Sequence, residues 1–337
     1  VSFLHPSGQF GVGTVTTELV DETRSSHALA DTPGRRLILK LWYPAERGTE
    51  SEPERIWQEL RDDARTPLPL RLLLKVLRAR TASRPDAQFA ADARAPRVVV
   101  YNHGFVSFAA ENTSLAQELA SHGCIVVAIQ HAAQLAELEA LRRAEPPEKK
   151  KADAALAQRL KKATGQERRA LAVAYYEAAT STSRLVAGRA ADTSFVLDRL
   201  DAVLDAIPAV RTSALDASAV HAVGFSLGGA VATAVATRDE RVRSVVNLDG
   251  GMYGALDAQN LRQPYLMMYS SANDGMNDEL LPQGAQRCAP RVTTHLNYHD
   301  VAGLLPVLRL VRVTGTTSPR AFLEQRNRIV REFVLSR

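Results

Sequence analysis

One serine stands in a setting built for nucleophilic chemistry. Gly224-Phe225-Ser226-Leu227-Gly228 fits the pattern G-x-S-x-G, with Gly229 and Ala230 after it. The preceding run AVHAVGF (219–225) is short and apolar, as in a buried strand, and a helical pattern starts at about Leu227. The spacing therefore predicts Ser226 on a sharp strand-to-helix turn, the context this motif requires. Glycines two before and two after the serine let the turn approach its neighbours. The helix start then aims free N–H groups at negative charge developing on a substrate oxygen. A serine hydroxyl is a weak nucleophile until a base removes its proton, so the chemistry in view is acyl transfer with an activated serine.

The other groups such a site needs have candidates in the right order. On this turn the expected sequence is serine, then acid, then histidine. Of eight histidines, only His295 and His299 follow Ser226. His295 ends RVTTH (291–295), which reads as a possible last strand, and is the expected base; His299 reads as a loop residue. Two acids compete. Asp249 ends VRSVVNLD (242–249) and precedes Gly250-Gly251. Asp274 lies in SSANDGMND, after the apolar run PYLMMYS (264–270). Both sit where a strand ends, and strand order alone slightly favours Asp274. An oxyanion also needs a second N–H donor from the loop after an earlier strand. Tyr101-Asn102-His103-Gly104-Phe105 follows RVVVYN (97–102) and supplies it. The expected donors are the N–H groups of Phe105 and Leu227, and His103 reads as structural.

The elements that must hold these residues follow from the apolar runs. Segments 10–20 and 35–43 read as two strands, joined through Asp31-Thr32-Pro33-Gly34, which favours an antiparallel pair. Segments 97–102, 124–129, 219–225, 242–249 and 264–270 read as buried strands, with helices between and a closing helix at 319–334. That alternation predicts an α/β architecture, a mostly parallel sheet with helices on both faces. Residues 133–207 are rich in Ala, Leu, Arg and Glu, with breaks near Pro146-Pro147 and Gly165. They read as several helices, with 133–187 an insertion capping the sheet of a single domain 1–337. The short apolar and basic run 67–80 reads as a helix packed on the domain, or one that touches lipid.

Composition narrows the class. The chain has 337 residues, 45% hydrophobic and 23% charged, an ordinary globular balance. No run of about 18 apolar residues is present. Two cysteines cannot build a disulfide framework or a four-ligand zinc site, and Cys124, inside CIVVAI, reads as a buried free thiol. The net charge of +5 is local, because 142–169 alone carries ten basic and four acidic residues. A basic helical segment without interleaved aromatics argues against nucleic acid. It fits a solvated helix face or an anionic membrane surface.

Taken in order, these motifs resemble the platelet-activating factor acetylhydrolase-like serine esterases of the α/β-hydrolase superfamily, in their bacterial branch. The resemblance is carried by LWYPA (41–45), YNHGF (101–105), ELASHGCIVVAIQH (118–131), RAADTSFVLDRL (189–200), GFSLGGA (224–230), NLDGGMYG (247–254) and HLNYHD (295–300). The last is similar to the family's H-x-N-F-x-D. The tail from Gly303 to Ala321 also looks like the family's. Cys124 departs from it, standing where the family usually has an aromatic. The resemblance implies an α/β-hydrolase fold and a triad of Ser226, Asp249 and His295, since the family's acid lies 23 residues past the serine, as Asp249 does. It implies hydrolysis of short-acyl or phospholipid-type esters, with no metal or organic cofactor. Aryl esters, polyesters, thioesters or peptides are the alternative substrates, and a non-catalytic binding module is the alternative of another class. Val1 in place of Met, with the family's habit, gives an expectation of secretion or a periplasmic location.

Overall fold

A computed structural model of the chain describes residues 3–25, 34–48, 51–57, 79–131, 134–210, 219–305, 308 and 314–337. Most of the apolar run 67–80, and the loop residues Asp31, Thr32 and Pro33, lie outside the described residues.

Among the described residues nine strands form one sheet. They are β1 (Gly11–Asp21), β2 (Arg35–Ala45), β3 (Ser83–Pro85), β4 (Val98–Asn102), β5 (Ile125–Gln130), β6 (Val220–Phe225), β7 (Val242–Leu248), β8 (Tyr265–Met268) and β9 (Gln286–Cys288). Their spatial order is β3-β1-β2-β5-β4-β6-β7-β8-β9. β2 pairs antiparallel with β1 and with β5, while every pairing from β5 to β9 is parallel. The expected antiparallel opening pair and the mostly parallel sheet are both present.

Period-two alternation explains why the central runs are apolar throughout. In β5, Ile125, Val127 and Ile129 enter one core while Val126 and Ala128 enter the other. β4 divides in the same way, with Val98 and Val100 on one side and Val99 and Tyr101 on the other. A strand buried on both faces has no polar side to show. One face is covered by α1 (Thr113–Ser121) and the closing helix α9 (Pro319–Leu335), through Leu115, Leu119, Phe322 and Val330. The other is covered by α5 (Thr180–Asp198), α6 (Leu200–Leu204) and α7 (Leu227–Ala236), through Val186, Val203 and Val231. The helical block before α5 is α2 (Gln134–Arg143), α3 (Pro147–Lys162) and α4 (Gly165–Ala178). Residue 187 falls inside α5, one continuous helix.

Two sequence readings meet different outcomes. Cys124 is buried and free, and burial pushes its thiol up to about 12. The expected strand at 291–295 is absent. Val292 has φ 57°, and His295–Tyr298 is a 3-10 turn instead. Pro290 cannot donate to a ladder and its carbonyl accepts the Thr293 hydroxyl at 2.9 Å, so the chain turns where the β-branched residues suggested extension. Among the described residues the last strand is β9. Among the described residues no helix is long and apolar enough to cross a membrane.

Buried histidines set a pH limit on this fold. Burial pushes His221, on β6, and His131, after β5, down to about 4. In the unfolded chain such a ring takes up its proton near 6.5. As pH falls from 6.5 to about 4 the unfolded state binds protons that the folded state refuses, so stability is lost across that window. Thermal unfolding measured from pH 7 to 4 should show a falling midpoint. His221→Asn should flatten that fall, and an unchanged slope in the variant would refute the assignment.

Candidate active site

Close packing at the end of β6 creates the site. Ser226 has φ 56° and ψ −123°, a conformation that L residues avoid. It survives because the glycines around it permit contacts no side chain would allow. A Cβ on Gly224 would lie 1.9 Å from the Gly228 carbonyl oxygen, and one on Gly228 would lie 1.9 Å from the Asn102 carbonyl oxygen. The turn is thereby pressed against the end of β4. The Ser226 N–H donates to Leu248 O at 2.9 Å, which extends the β6–β7 ladder one residue past the strand. Asp249 does the same on the next strand pair. Its N–H donates to Met268 O at 2.7 Å, and its φ is 55°. Both residues therefore sit just beyond the C-terminal ends of neighbouring strands.

Ser226, His295 and Asp249 form a continuous hydrogen-bonded chain. The Asp249 carboxylate can only accept, so His295 Nδ1–H donates to its Oδ2, at 2.6 Å. That tautomer leaves a lone pair on Nε2, which receives the Ser226 hydroxyl at 2.9 Å. Asp249 is held by two further donors, the Ser270 N–H at 2.7 Å and Asn273 Nδ2 at 3.0 Å. Its side chain is fully buried while that of His295 is 47% exposed, so the imidazole meets incoming molecules and the acid does not. Phe225 stacks under the imidazole, with ring centroids 4.7 Å apart.

Asp274 is elsewhere. Its carboxylate is half exposed and pairs with Arg287 at 2.7 Å. Its neighbour Asn273 and Ser270 of the same loop reach Asp249 instead. His299 is also off the chain of bonds. Its Nδ1 accepts the Val301 N–H at 3.0 Å, and burial, with Arg326 and His295 nearby, pushes its pKa down to about 3. His103 donates through Nδ1 to Gly104 O at 2.7 Å and accepts the His131 N–H on Nε2 at 3.2 Å. Burial, Arg189 and His131 hold it well below the ordinary histidine range, so it is a neutral internal strut.

The expected oxyanion donors border the serine. Leu227 opens α7, so its N–H is one of the first-turn amides with no intrahelical acceptor. Gly104 lies against the serine, since a Cβ there would be 3.4 Å from Ser226 Cβ, and Phe105 is the next residue. Together the groups suit attack by Ser226 on an acyl carbon. Among the described residues no group of three or more His, Cys, Asp or Glu could hold a metal ion.

The H-x-N-Y-x-D segment now has a physical reading. Asn297 Oδ1 accepts the N–H groups of Thr294 at 2.7 Å and Gly315 at 3.1 Å, which closes the turn that carries His295. The Tyr298 hydroxyl donates to Tyr269 O at 2.8 Å. Asp300 accepts the Ser114 N–H at 2.7 Å and its hydroxyl at 2.5 Å. Arg326, fully buried on α9, donates to Tyr298 O at 2.5 Å and Asn112 Oδ1 at 2.8 Å. Sequence reasoning missed Asn273 and Arg326. Asn273 had one weak signal, its place beside the acid candidate.

Fold and site together define an α/β-hydrolase. The chain belongs to the family of platelet-activating factor acetylhydrolase, isoform II, whose model matches residues 2–283. That makes it an ester hydrolase by class. The matched span ends before His295, so the histidine's place comes from the structure. Among solved structures the chain is similar to a ferulic acid esterase from Streptomyces cinnamoneus, with a TM-score of 0.68 and 22% identity. The match covers 99% of this chain and 92% of that one. No curated protein matches the chain.

The two acids can be separated by experiment. Asp249→Asn removes the acceptor that fixes the His295 tautomer, and should lower ester turnover by on the order of 10⁴ with little change in folding. Asp274→Asn should cost no more than about tenfold, the scale of a weakened surface pair. Steady-state kinetics on both variants decide the matter, and the reverse pattern would move the acid to Asp274.

Proposed function

We propose that the protein is a serine esterase that cleaves carboxylic esters through an acyl-serine. The unbroken bond chain from Ser226 Oγ through His295 to Asp249 carries this reading. Ser226 Oγ bonds to the ester carbon, the carbonyl electron pair moves onto oxygen, and the hydroxyl proton passes to His295 Nε2. The Phe105 and Leu227 N–H groups receive the oxyanion, each worth on the order of 3 kcal/mol of barrier. Collapse expels the alcohol, which takes the proton from His295. Water then repeats the sequence and frees the acid. Asp249 stays ionised and offsets the imidazolium charge. The chain 1–337 is read as one domain, with 133–187 as a helical insertion capping the sheet.

Family membership supports short-acyl and phospholipid-type esters as substrates. One observation favours aromatic esters as the second reading. Tyr175 and Tyr176 of α4 pack edge-on against Tyr253, whose ring lies beside Gly251, two residues past the acid. The similar structure from Streptomyces is that of a ferulic acid esterase. A p-nitrophenyl ester chain-length series, run beside a short sn-2-acyl phospholipid and a feruloyl ester, separates the two. Short acyl chains should be preferred, and a dominant feruloyl rate would favour the second reading. Ser226→Ala should lower every rate by roughly four to six orders of magnitude. More than about a tenth of wild-type activity in that variant would refute the mechanism.

The basic segment is proposed to meet an anionic lipid surface. On α3 the inward side holds Leu160, and Lys149 pairs there with Asp153 at 2.5 Å. At 100° per residue, Lys151 and Lys162 fall opposite Leu160 and Lys150 and Lys161 fall to one side of it. All four are exposed. Hydrolysis at anionic vesicles should fall steeply as salt rises, while hydrolysis of a soluble neutral ester barely changes. Equal salt response on both would leave α3 a plain solvated face.

A further inference from the structure

Glu111 lies outside the triad, is fully buried, and touches both loops that flank the serine. Its Oε1 accepts the Gly104 N–H at 2.8 Å and the Tyr101 hydroxyl at 2.7 Å. Gly104 is the residue before the proposed oxyanion donor Phe105. Its Oε2 lies 3.9 Å from His299 Nε2. Because His299 Nδ1 accepts the Val301 N–H, the neutral ring carries its hydrogen on Nε2, facing that oxygen. The Glu111 backbone carbonyl accepts the Asp300 N–H at 3.3 Å. One residue thus joins the loop after β4 to the loop that carries His295. It is also close to the reacting serine. A Cβ built on Gly104 would be 3.4 Å from both Glu111 Oε2 and Ser226 Cβ.

The geometry points to Glu111 as a positioning residue for ester hydrolysis, one that fixes the Gly104 amide and with it the direction of the Phe105 N–H. This rests on the serine-esterase reading above. Burial pushes the carboxyl up to about 7, against the pull of its hydrogen bonds to Ser107, Tyr101 and Gly104 and of the Arg189 charge. A carboxyl accepts on one oxygen whether or not the other carries a proton, so Oε1 keeps the Gly104 N–H in both states. A donor that is aimed before the reaction costs nothing to orient during it. That benefit applies where charge develops on the substrate oxygen, not to substrate binding itself.

Three substitutions test this. Glu111→Met fills similar space without an acceptor, Glu111→Gln keeps one, and Tyr101→Phe removes the other donor to Oε1 together with the acceptor of Asn112 Nδ2 at 2.7 Å. Glu111→Met should lower kcat about a hundredfold with KM within about twofold, the size expected for a misaimed oxyanion donor. Glu111→Gln should stay within about fivefold of wild type and Tyr101→Phe within about threefold. A short-chain alkyl trifluoromethyl ketone supplies a second readout. Ser226 Oγ adds to its carbonyl carbon, the electron pair moves to oxygen, and the proton goes to His295. Affinity for this probe should fall in Glu111→Met by the same factor as kcat. If Glu111→Met fails to fold, the Gln and Phe variants still decide, because a hundredfold loss of kcat in either removes the proposed role. Near-wild-type kcat in a folded Glu111→Met, or loss of kcat with ketone affinity intact, also overturns it. Failure of the serine mechanism is seen separately, as an active Ser226→Ala.

Discussion

The contact between Gly228 and the Asn102 carbonyl is the constraint on which the site depends. Two backbones meet there at a distance that even one methyl group would prevent. Because they meet, the end of β6 and the end of β4 share one small volume, and the serine is forced into its left-handed turn. The same approach sets Gly104 against Ser226, so the proposed nucleophile and the loop after β4 are fixed by one packing event. A strained residue of this kind costs on the order of 1–3 kcal/mol and persists only where its surroundings leave no alternative. Here those surroundings are the central strands of the sheet, buried on both faces.

Two buried polar clusters keep the flanking loops from relaxing. Below the loop after β4, Asp192 accepts Arg35 Nη2 at 2.8 Å and His131 Nδ1 at 3.0 Å, while Arg35 also reaches Glu137. Arg189 donates to the His103 carbonyl at 3.2 Å in the same region. Below the histidine loop, Arg326 gathers Tyr298 O, Asn112 and Ser114. Buried charges repay their desolvation poorly, so such clusters are weak sources of net stability. Their value is geometric. Each ties backbone near the serine to helices far from it, and an active site gains most from dipoles that cannot reorient.

The acid shares its support with the helices above it. Arg168 of α4 donates to Ala272 O, in the loop whose Asn273 holds Asp249. The Tyr176 hydroxyl donates to Asn277 Oδ1 at 2.7 Å, and Asn277 Nδ2 donates to Gly250 O at 2.8 Å, one residue past the acid. A shift of α4 would therefore be felt at the carboxylate.

How much of this was legible in advance depended on how local the deciding contacts are. The turn at Ser226 could be read because Gly224 meets Gly228 four residues away, and the strands could be read because double burial leaves an unbroken apolar run. The order serine, acid, histidine narrowed eight histidines to His295 and His299. Choosing between Asp249 and Asp274 on residue types alone was not possible, since both follow strands. The difference is a side-chain direction, one carboxylate turned inward among three donors and the other outward to Arg287. The turn at 291–295 was misread as a strand, because β-branched residues suggest extension while the bonds that bend the chain come from Ser271 and Pro290. Glu111 and Arg326 were silent. Arg326 meets Asn112 across 214 positions and Asp300 meets Ser114 across 186, and no spacing rule reaches that far. Sequence alone determined which residue types could do the chemistry and which elements carry them, because those depend on neighbours within a few positions. Only the tertiary structure decided which charges are buried together, because desolvation and pairing arise where distant segments close on one another.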